Sequence, residues 1–277
     1  MYDVVALGEL LIDFIENGRS EQNNPLFEAN PGGAPCNVLA MLQKLGYTTA
    51  FIGKVGNDAF GRMLGETLSK VGIVSSGLRY DKNIPTTLAI VHNKLDGDRE
   101  FSFYRNPGAD LMLQEQEIPY DLIENCKIFH FGSLSMTADP VKTATKAAVE
   151  YAKKAGKIIS FDPNLRESLW NNQDEAAAAI WYGIGQCDVL KIADNEIRWL
   201  TGEDNFDKGV EIIRERATAV LINVTLGKEG SISYYGNRKI FAEPFLSGHT
   251  IDTTGAGDTF CGCILGSTDW KIFLIGR

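Results

Sequence analysis

The sequence predicts an α/β fold: a doubly wound, mainly parallel sheet flanked by helices, with a small β-stranded lid. Three observations lead there. Short, nearly continuous apolar runs recur along the chain, the pattern of strands buried on both faces. Amphipathic helical segments alternate with them through short connections. One stretch breaks the rhythm with two strand-like runs around an Asp-Gly turn.

Taken in order, the strand-like runs cover residues 4–8, 49–53, 128–131, 158–162, 189–192 and 220–224. The clearest helix covers residues 37–46. Val38, Met41, Leu42 and Leu45 form one apolar stripe, Asn37 suits the N-cap and Gly46 the left-handed position after the last turn. Further helices are expected over 140–155, 173–186, 195–201 and 208–216. Residues 86–93 and 100–105 flank Lys94-Leu95-Asp96-Gly97-Asp98 and read as a hairpin. The polar, weakly periodic stretch 16–31 is assigned to the same excursion, so the lid is expected over about 12–31 and 86–106. With no linker, repeat or low-complexity run, residues 1–277 are read as a single domain.

Composition narrows the function classes. The 277 residues are 44% hydrophobic and 23% charged, with a net charge of -9, a balance suited to a soluble protein with a sizeable core. Nucleic acid is recruited by basic patches, and this chain has no basic cluster. The first residues, Met1-Tyr2-Asp3-Val4-Val5-Ala6-Leu7-Gly8-Glu9, lack a basic leader and read as a strand, not a signal peptide. No stretch is long and apolar enough to cross a bilayer. The five cysteines are odd in number and scattered in apolar runs, as expected for thiols in a reducing, cytoplasmic setting. Cys261-Gly-Cys263 lacks zinc-site spacing.

In open α/β sheets ligands bind beyond the carboxyl ends of the strands. Polar residues recur there: Asp13, the loop 30–37 with Gly32, Gly33 and Asn37, then Asp162 to Arg166, Lys191, Glu196, Thr225 to Gly227, and Asp252 to Asp258. The last run is the sharpest. Gly255-Ala256-Gly257 turns without hindrance into an apolar helix, whose first-turn N–H groups and dipole favour an anion. Asp258 at its mouth is placed to take a proton from an attacking hydroxyl, or it is the N-cap of that helix. Gly32-Gly33 is a tight turn or a close approach to a ligand. Asp162 with Arg166 reads as a surface ion pair or as site residues, Lys191 as a snorkelling cation or a ligand, and Glu196 as a solvated or functional acid. No Gly-x-x-x-x-Gly-Lys-Ser/Thr loop, no Gly-x-Gly-x-x-Gly after the first strand and no Gly-x-Ser-x-Gly elbow is present. Phosphoryl transfer to a hydroxyl of a small polar metabolite is the chemistry these residues suit.

From about residue 3 to about residue 266 the chain resembles the ribokinase-like carbohydrate kinases, and within them the bacterial fructokinases. Pro31-Gly32-Gly33-Ala34-Pro35-Cys36-Asn37 and Asp252-Thr253-Thr254-Gly255-Ala256-Gly257-Asp258 carry the resemblance. Phe51 to Asp58, Arg105 to Asp110, Asp162 to Arg166 and Thr225-Leu226-Gly227 agree with it. The resemblance implies ATP-dependent phosphorylation of a sugar, D-fructose to D-fructose 6-phosphate, with Asp258 as base and Gly255, Ala256 and Gly257 as the anion hole. It implies that Asp13, Gly32, Gly33, Asn37, Arg105 and Arg166 hold the sugar or phosphate, and that Lys191, Thr225 and Gly227 hold the nucleotide. Glu196 would organise Mg²⁺ through water or phosphate, and Asp252 and Thr254 would offer backbone oxygens to K⁺. It also implies a homodimer through the lid.

Two features depart from the family pattern. Ala193 replaces the polar residue three before the acid, and the family continues further beyond the glycine-acid motif than residues 267–277 do. The alternatives kept open are a kinase for ribose, 2-keto-3-deoxygluconate or a nucleoside, and a C-terminally shortened sugar-binding form without turnover.

Overall fold

The computed structural model describes residues 1–93, 99–217, 219–245 and 253–267. Thirteen strands occur among them: β1 (Tyr2–Leu7), β2 (Leu11–Arg19), β3 (Pro25–Gly32), β4 (Thr49–Gly56), β5 (Val74–Asp81), β6 (Leu88–Asn93), β7 (Arg99–Tyr104), β8 (Cys126–Gly132), β9 (Ile158–Asp162), β10 (Val189–Ala193), β11 (Leu221–Thr225), β12 (Ser231–Tyr235) and β13 (Arg238–Ala242). The helices are α1 (Ala34–Lys44), α2 (Ala59–Val71), α3 (Tyr120–Glu124), α4 (Val141–Lys154), α5 (Gln173–Gln186), α6 (Asp194–Thr201), α7 (Phe206–Arg216) and α8 (Ala256–Ser267).

Nine strands form one sheet in the order β13-β12-β11-β10-β9-β8-β1-β4-β5. Its strands run parallel except at one edge, where β11–β12 and β12–β13 are antiparallel. Because β1 pairs with β4 on one side and β8 on the other, the chain reverses its direction of travel at β1. A crevice opens at such a switch point, beyond the carboxyl ends of the strands.

Alternation within β1 shows why both faces are covered. Val4 and Ala6 pack with Val38, Leu39, Leu64 and Leu265 on the face carrying α1, α2 and α8. Val5 and Leu7 pack on the opposite face, with Ile123, Ala148, Ile184 and Ile213 of the remaining helices. Successive side chains of a strand point to opposite faces, so an unbroken apolar run must have a helical layer on each side.

The departure from βα rhythm becomes a second, four-stranded sheet in the order β3-β2-β6-β7. β2 pairs antiparallel with β3 and parallel with β6, and β6 pairs antiparallel with β7. The expected excursions at 12–31 and 86–106 thus come together in one structure, and stretch 16–31 is largely strand. The Asp96-Gly97 turn lies outside the described residues. Phe14 of this sheet meets Phe60 of α2 edge-to-face, centroids 5.6 Å apart, which ties it to the main body.

One helix boundary differs from expectation. α1 begins at Ala34, with Gly33 as N-cap and Pro35 in its first turn. Asn37 therefore lies inside the helix, where its side chain is available for another partner. Pro is tolerated at the first turn because its missing N–H would be unpaired there anyway, and this extends the helix past the cap position inferred from the apolar stripe.

Two glycines of α5 test the packing. A Cβ on Gly183 would meet the Phe161 ring at 2.3 Å, whereas one on Gly185 would meet nothing within 4 Å. Gly185→Ala is expected to stabilise by about 1 kcal/mol through helix propensity. Gly183→Ala is expected to destabilise by about 1–3 kcal/mol through overpacking. Urea unfolding of the two variants, with opposite displacements of the midpoint, checks the pair.

Candidate active site

The cleft at the switch point is lined by Asp13, Gly33, Asn37, Arg166, Gly255 and Asp258, together with Glu9 and Asn164. Its residues come from β2 of the small sheet, the first turns of α1 and α8, and the loop after β9. At its centre Asn37 Nδ2 donates a 2.8 Å hydrogen bond to Asp258 Oδ2. Asp258 is the third residue of α8 and only 9% exposed. It is therefore not the residue before the helix, and its carboxylate is held by a side chain 221 positions away in sequence.

Gly255 has φ +73°, a left-handed conformation that costs a residue with a Cβ about 1 kcal/mol or more. That conformation turns the chain into α8. The turn is closed by Ala256 N–H donating to Thr253 O at 3.1 Å and Thr259 N–H to Gly255 O at 2.8 Å. Beneath the first turn lies a buried ion pair: Lys191 Nζ stands 3.1 Å from both oxygens of Asp162. Its hydrogen bond goes to Oδ1, and Oδ2 has no hydrogen-bond partner. A Cβ on Gly257 would lie 2.9 Å from this ammonium, so the glycine lets backbone and cation approach. A helix N-terminus backed by a fixed cation is a site for an anion.

The acids of the cleft are held away from their ordinary pKa values. Burial raises Asp258, while the Asn37 hydrogen bond and the cations Lys191 and Arg166 pull the other way. Asp13 is pushed up to about 6 by burial; Arg166 opposes this and Asp258 adds to it. For Asp162, burial again dominates and raises the carboxyl against Lys191. Lys191 is raised on balance: burial disfavours its charge, but Asp162 and Glu196 more than compensate.

Other expected site residues lie around this centre or apart from it. Gly32 faces Asp13 so closely that a Cβ would stand 2.1 Å from Asp13 Oδ2. Glu196 accepts Leu165 N–H and Ala193 N–H, each at 2.7 Å, one on each carboxylate oxygen. It thereby locks the loop carrying Arg166 to the start of α6. Thr225 pairs in register with Ala193. Thr225 and Gly227 sit at the end of β11 and do not line the cleft with Asp258.

Arg105 is buried differently. Its guanidinium pairs with Asp110 at 2.5 Å and donates to Thr137 Oγ1 at 3.1 Å and Leu134 O at 2.9 Å, and it borders a neighbouring cleft with Trp170. Thr254 lines the main cleft. Asp252 lies outside the described residues.

Glu9, Phe103 and Leu134 also line the cleft and did not emerge as candidates from the sequence. Glu9 carried a signal, an acid directly beyond the first strand, which serves equally to interrupt an apolar leader. Phe103 and Leu134 carried none, because apolar residues in strands and turns are ordinarily core.

A sheet switch point fitted with a buried acid, an anion-binding helix start and a polar acceptor cleft defines a group-transfer enzyme acting on a small polar molecule. The sequence matches the description "pfkB family carbohydrate kinase" over residues 1–268. The chain belongs to that family. Fructokinase-1 of Zea mays is 43% identical over 264 residues, 95% of this chain and 81% of that protein. The fructokinase of Xylella fastidiosa, solved with bound ATP, superposes with a TM-score of 0.89 at 30% identity, over 100% of this chain and 85% of that one. A double-mutant fructokinase of Vibrio cholerae O395, bound to fructose, ADP and potassium, gives a TM-score of 0.86 at 32% identity over 96% and 83% of the two chains. Among the described residues no helix is long and apolar enough to cross a membrane.

The raised pKa of Asp13 has a stability consequence. A carboxyl held above its unfolded value contributes stability that is fully present below about pH 4 and is lost as pH rises through about 6. Asp13→Asn removes that loss. Its Tm should exceed the parent's at pH 8 and match it at pH 4 in thermal denaturation; an equal or lower Tm at pH 8 contradicts the assignment.

Proposed function

We propose that the protein is a fructokinase, transferring the γ-phosphoryl group of ATP to the 6-hydroxyl of D-fructose. The observation that carries the reading is the buried Asp258 held by Asn37 at the mouth of the α8 anion site. Fructokinases at 40% identity or more in several plants, and the ATP- and fructose-bound neighbours, support the choice of substrates.

Asp258 acts as general base. Burial lifts its carboxyl toward neutrality, which strengthens it as a proton acceptor. The Asn37 amide fixes one oxygen and leaves the other to face the acceptor hydroxyl. Asp13 and the Gly32-Gly33 turn form the wall opposite Asp258, and a carboxylate beside backbone amides suits the vicinal hydroxyls of a sugar. Arg166, between Asp13 and Asp258 in its charge effects, balances the two acids and meets the transferred phosphoryl group. The backbone from Gly255 to Gly257 and the Lys191 ammonium stabilise charge developing on the phosphoryl oxygens without rearranging. Thr225 and Gly227, further along the strand ends, are assigned to the nucleotide. Arg105 shapes the acceptor side through Leu134 and Thr137 rather than by direct contact.

Among the described residues no cluster of three or more His, Cys, Asp or Glu is arranged to hold a metal ion. Mg²⁺ would keep waters and take phosphate oxygens in preference to an all-protein cage. When bound with the triphosphate it would neutralise charge on the phosphate oxygens. Glu196 fits a role through water or phosphate, since both of its oxygens already accept backbone N–H groups. Thr254 is the described residue assigned to a potassium site.

The small sheet serves as a lid that excludes water from the transfer. Exposed Leu26, Phe27 and Tyr104 on that sheet support a homodimer through it. Free cysteines, four of the five buried, support a reducing cytoplasmic setting.

Asp258→Asn is expected to lower kcat by at least about a thousandfold while fructose affinity changes little. A coupled ADP-release assay with calorimetric sugar titration measures both, and near-parental turnover would refute the role. In the same assay a panel of sugars and nucleosides should show fructose with the highest kcat/KM; a stronger preference for another acceptor would replace it. Asn37→Ala removes the hydrogen bond that favours ionised Asp258, so the acid limb of the kcat profile should move to higher pH.

A further inference from the structure

Glu9 follows the first strand and has no part in the chemistry described above. Its side chain is only 3% exposed, yet it lines the cleft with Asp13, Asn37 and Asp258. Its carboxylate holds the start of α1, and its backbone passes close by. Oε1 accepts Ala34 N–H at 2.9 Å, and its backbone oxygen would lie 2.4 Å from a Cβ on Gly33.

Helix α1 lacks its own means of capping. Gly33, at the N-cap with φ +124°, has no side chain to accept an orphan N–H, and no acid occupies the first turn. An N-cap acceptor ordinarily stabilises a helix start, and a nearby negative charge adds a favourable interaction with the helix dipole. Glu9 supplies both from 25 positions away. Asn37 stands one turn further along the same helix, with its amide on Asp258.

We propose that Glu9 is a positioning residue of the active site. It is a remote cap that sets the first turn of α1, and so holds the Gly32-Gly33 turn and Asn37 against Asp258. The proposal rests on the kinase reading, in which Glu9 touches no reacting atom. Its surroundings make the cap responsive to pH. Burial raises the Glu9 carboxyl to about 7, opposed by the Glu9 and Ala34 amides and Arg105, and assisted by Asp110. The Cys36 thiol of α1, also buried against it, is pushed well up by burial and by Glu9.

The test compares Glu9→Ala, which loses acceptor and charge, with Glu9→Gln, which keeps an oxygen for Ala34 N–H. In the full chain Glu9→Ala should raise KM for fructose about tenfold and lower kcat, with KM for ATP within about twofold of the parent. Glu9→Gln should recover most of that loss at pH 6, where the native carboxyl is largely protonated, and less at pH 8. Hydrogen exchange in a peptide spanning residues 33–44 should quicken in Glu9→Ala and less so in Glu9→Gln, a readout independent of the acceptor. Unchanged exchange in Glu9→Ala overturns the proposal. So does a Glu9→Gln variant as impaired as Glu9→Ala at pH 6, or a KM for ATP that rises as far as that for fructose. If the parent protein phosphorylates no fructose, the kinase reading fails instead, and exchange in α1 alone decides the role of Glu9.

Discussion

The hydrogen bond between Asn37 and Asp258 joins the first and last described helices across 221 positions of sequence. For it to form, α1 and α8 must lie side by side on one face of the sheet. They do so because both pack on the same apolar strip: Val38 and Leu42 from one, Cys261 and Leu265 from the other, against Val4 and Ala6 of β1. Gly262 makes the approach possible, since a Cβ there would stand 2.9 Å from Val38 O and from Met41 Cβ. The chemistry of the cleft is thus fixed by core packing a few ångströms beneath it, in an interior too dense to yield by small amounts.

Around that bond the cleft gathers more acid than an apolar interior tolerates. Asp13, Asp162 and Asp258 are all raised by burial, and Lys191 and Arg166 offset part of their repulsion. Such an arrangement is costly to the folded state and useful to the reaction, because groups that resist ionisation accept protons readily and fixed cations stabilise incoming negative charge. The buried pair of Lys191 and Asp162 illustrates the division. Replacing both by apolar residues of like volume is often neutral or stabilising in other proteins, so its place beneath Gly257 accords better with the proposed anion site than with a role in stability.

Much of this was legible in the sequence. Parallel strands announce themselves because burial on both faces removes polar positions, and six of them were placed to within a few residues. The glycine-acid run at Gly255 to Asp258 was legible because few other structures need that combination. Less visible was what depends on distant partners. Asn37 reads locally as a cap, yet Pro35 and Gly33 start the helix earlier and release its amide for Asp258. Arg105 is a sugar or phosphate ligand by the resemblance, and nothing in the local pattern shows that Asp110, five residues on, pairs with its buried guanidinium. Glu9 stands out only as an acid beyond the first strand, and its role stays hidden because its partner Ala34 lies across a strand pair and a turn. The small sheet hid its β2 and β3 because one face is solvated and the sequence there is polar.

The position of α8 also bears on how the chain reaches its native state. During synthesis at about 5–20 residues per second, roughly ten to forty seconds separate the emergence of Asn37 from that of Asp258. Throughout that interval the apolar stripe of α1 lacks its neighbour and Asn37 lacks the carboxylate it pairs with. Nascent molecules therefore carry a sticky surface that chaperones are suited to shield until α8 docks.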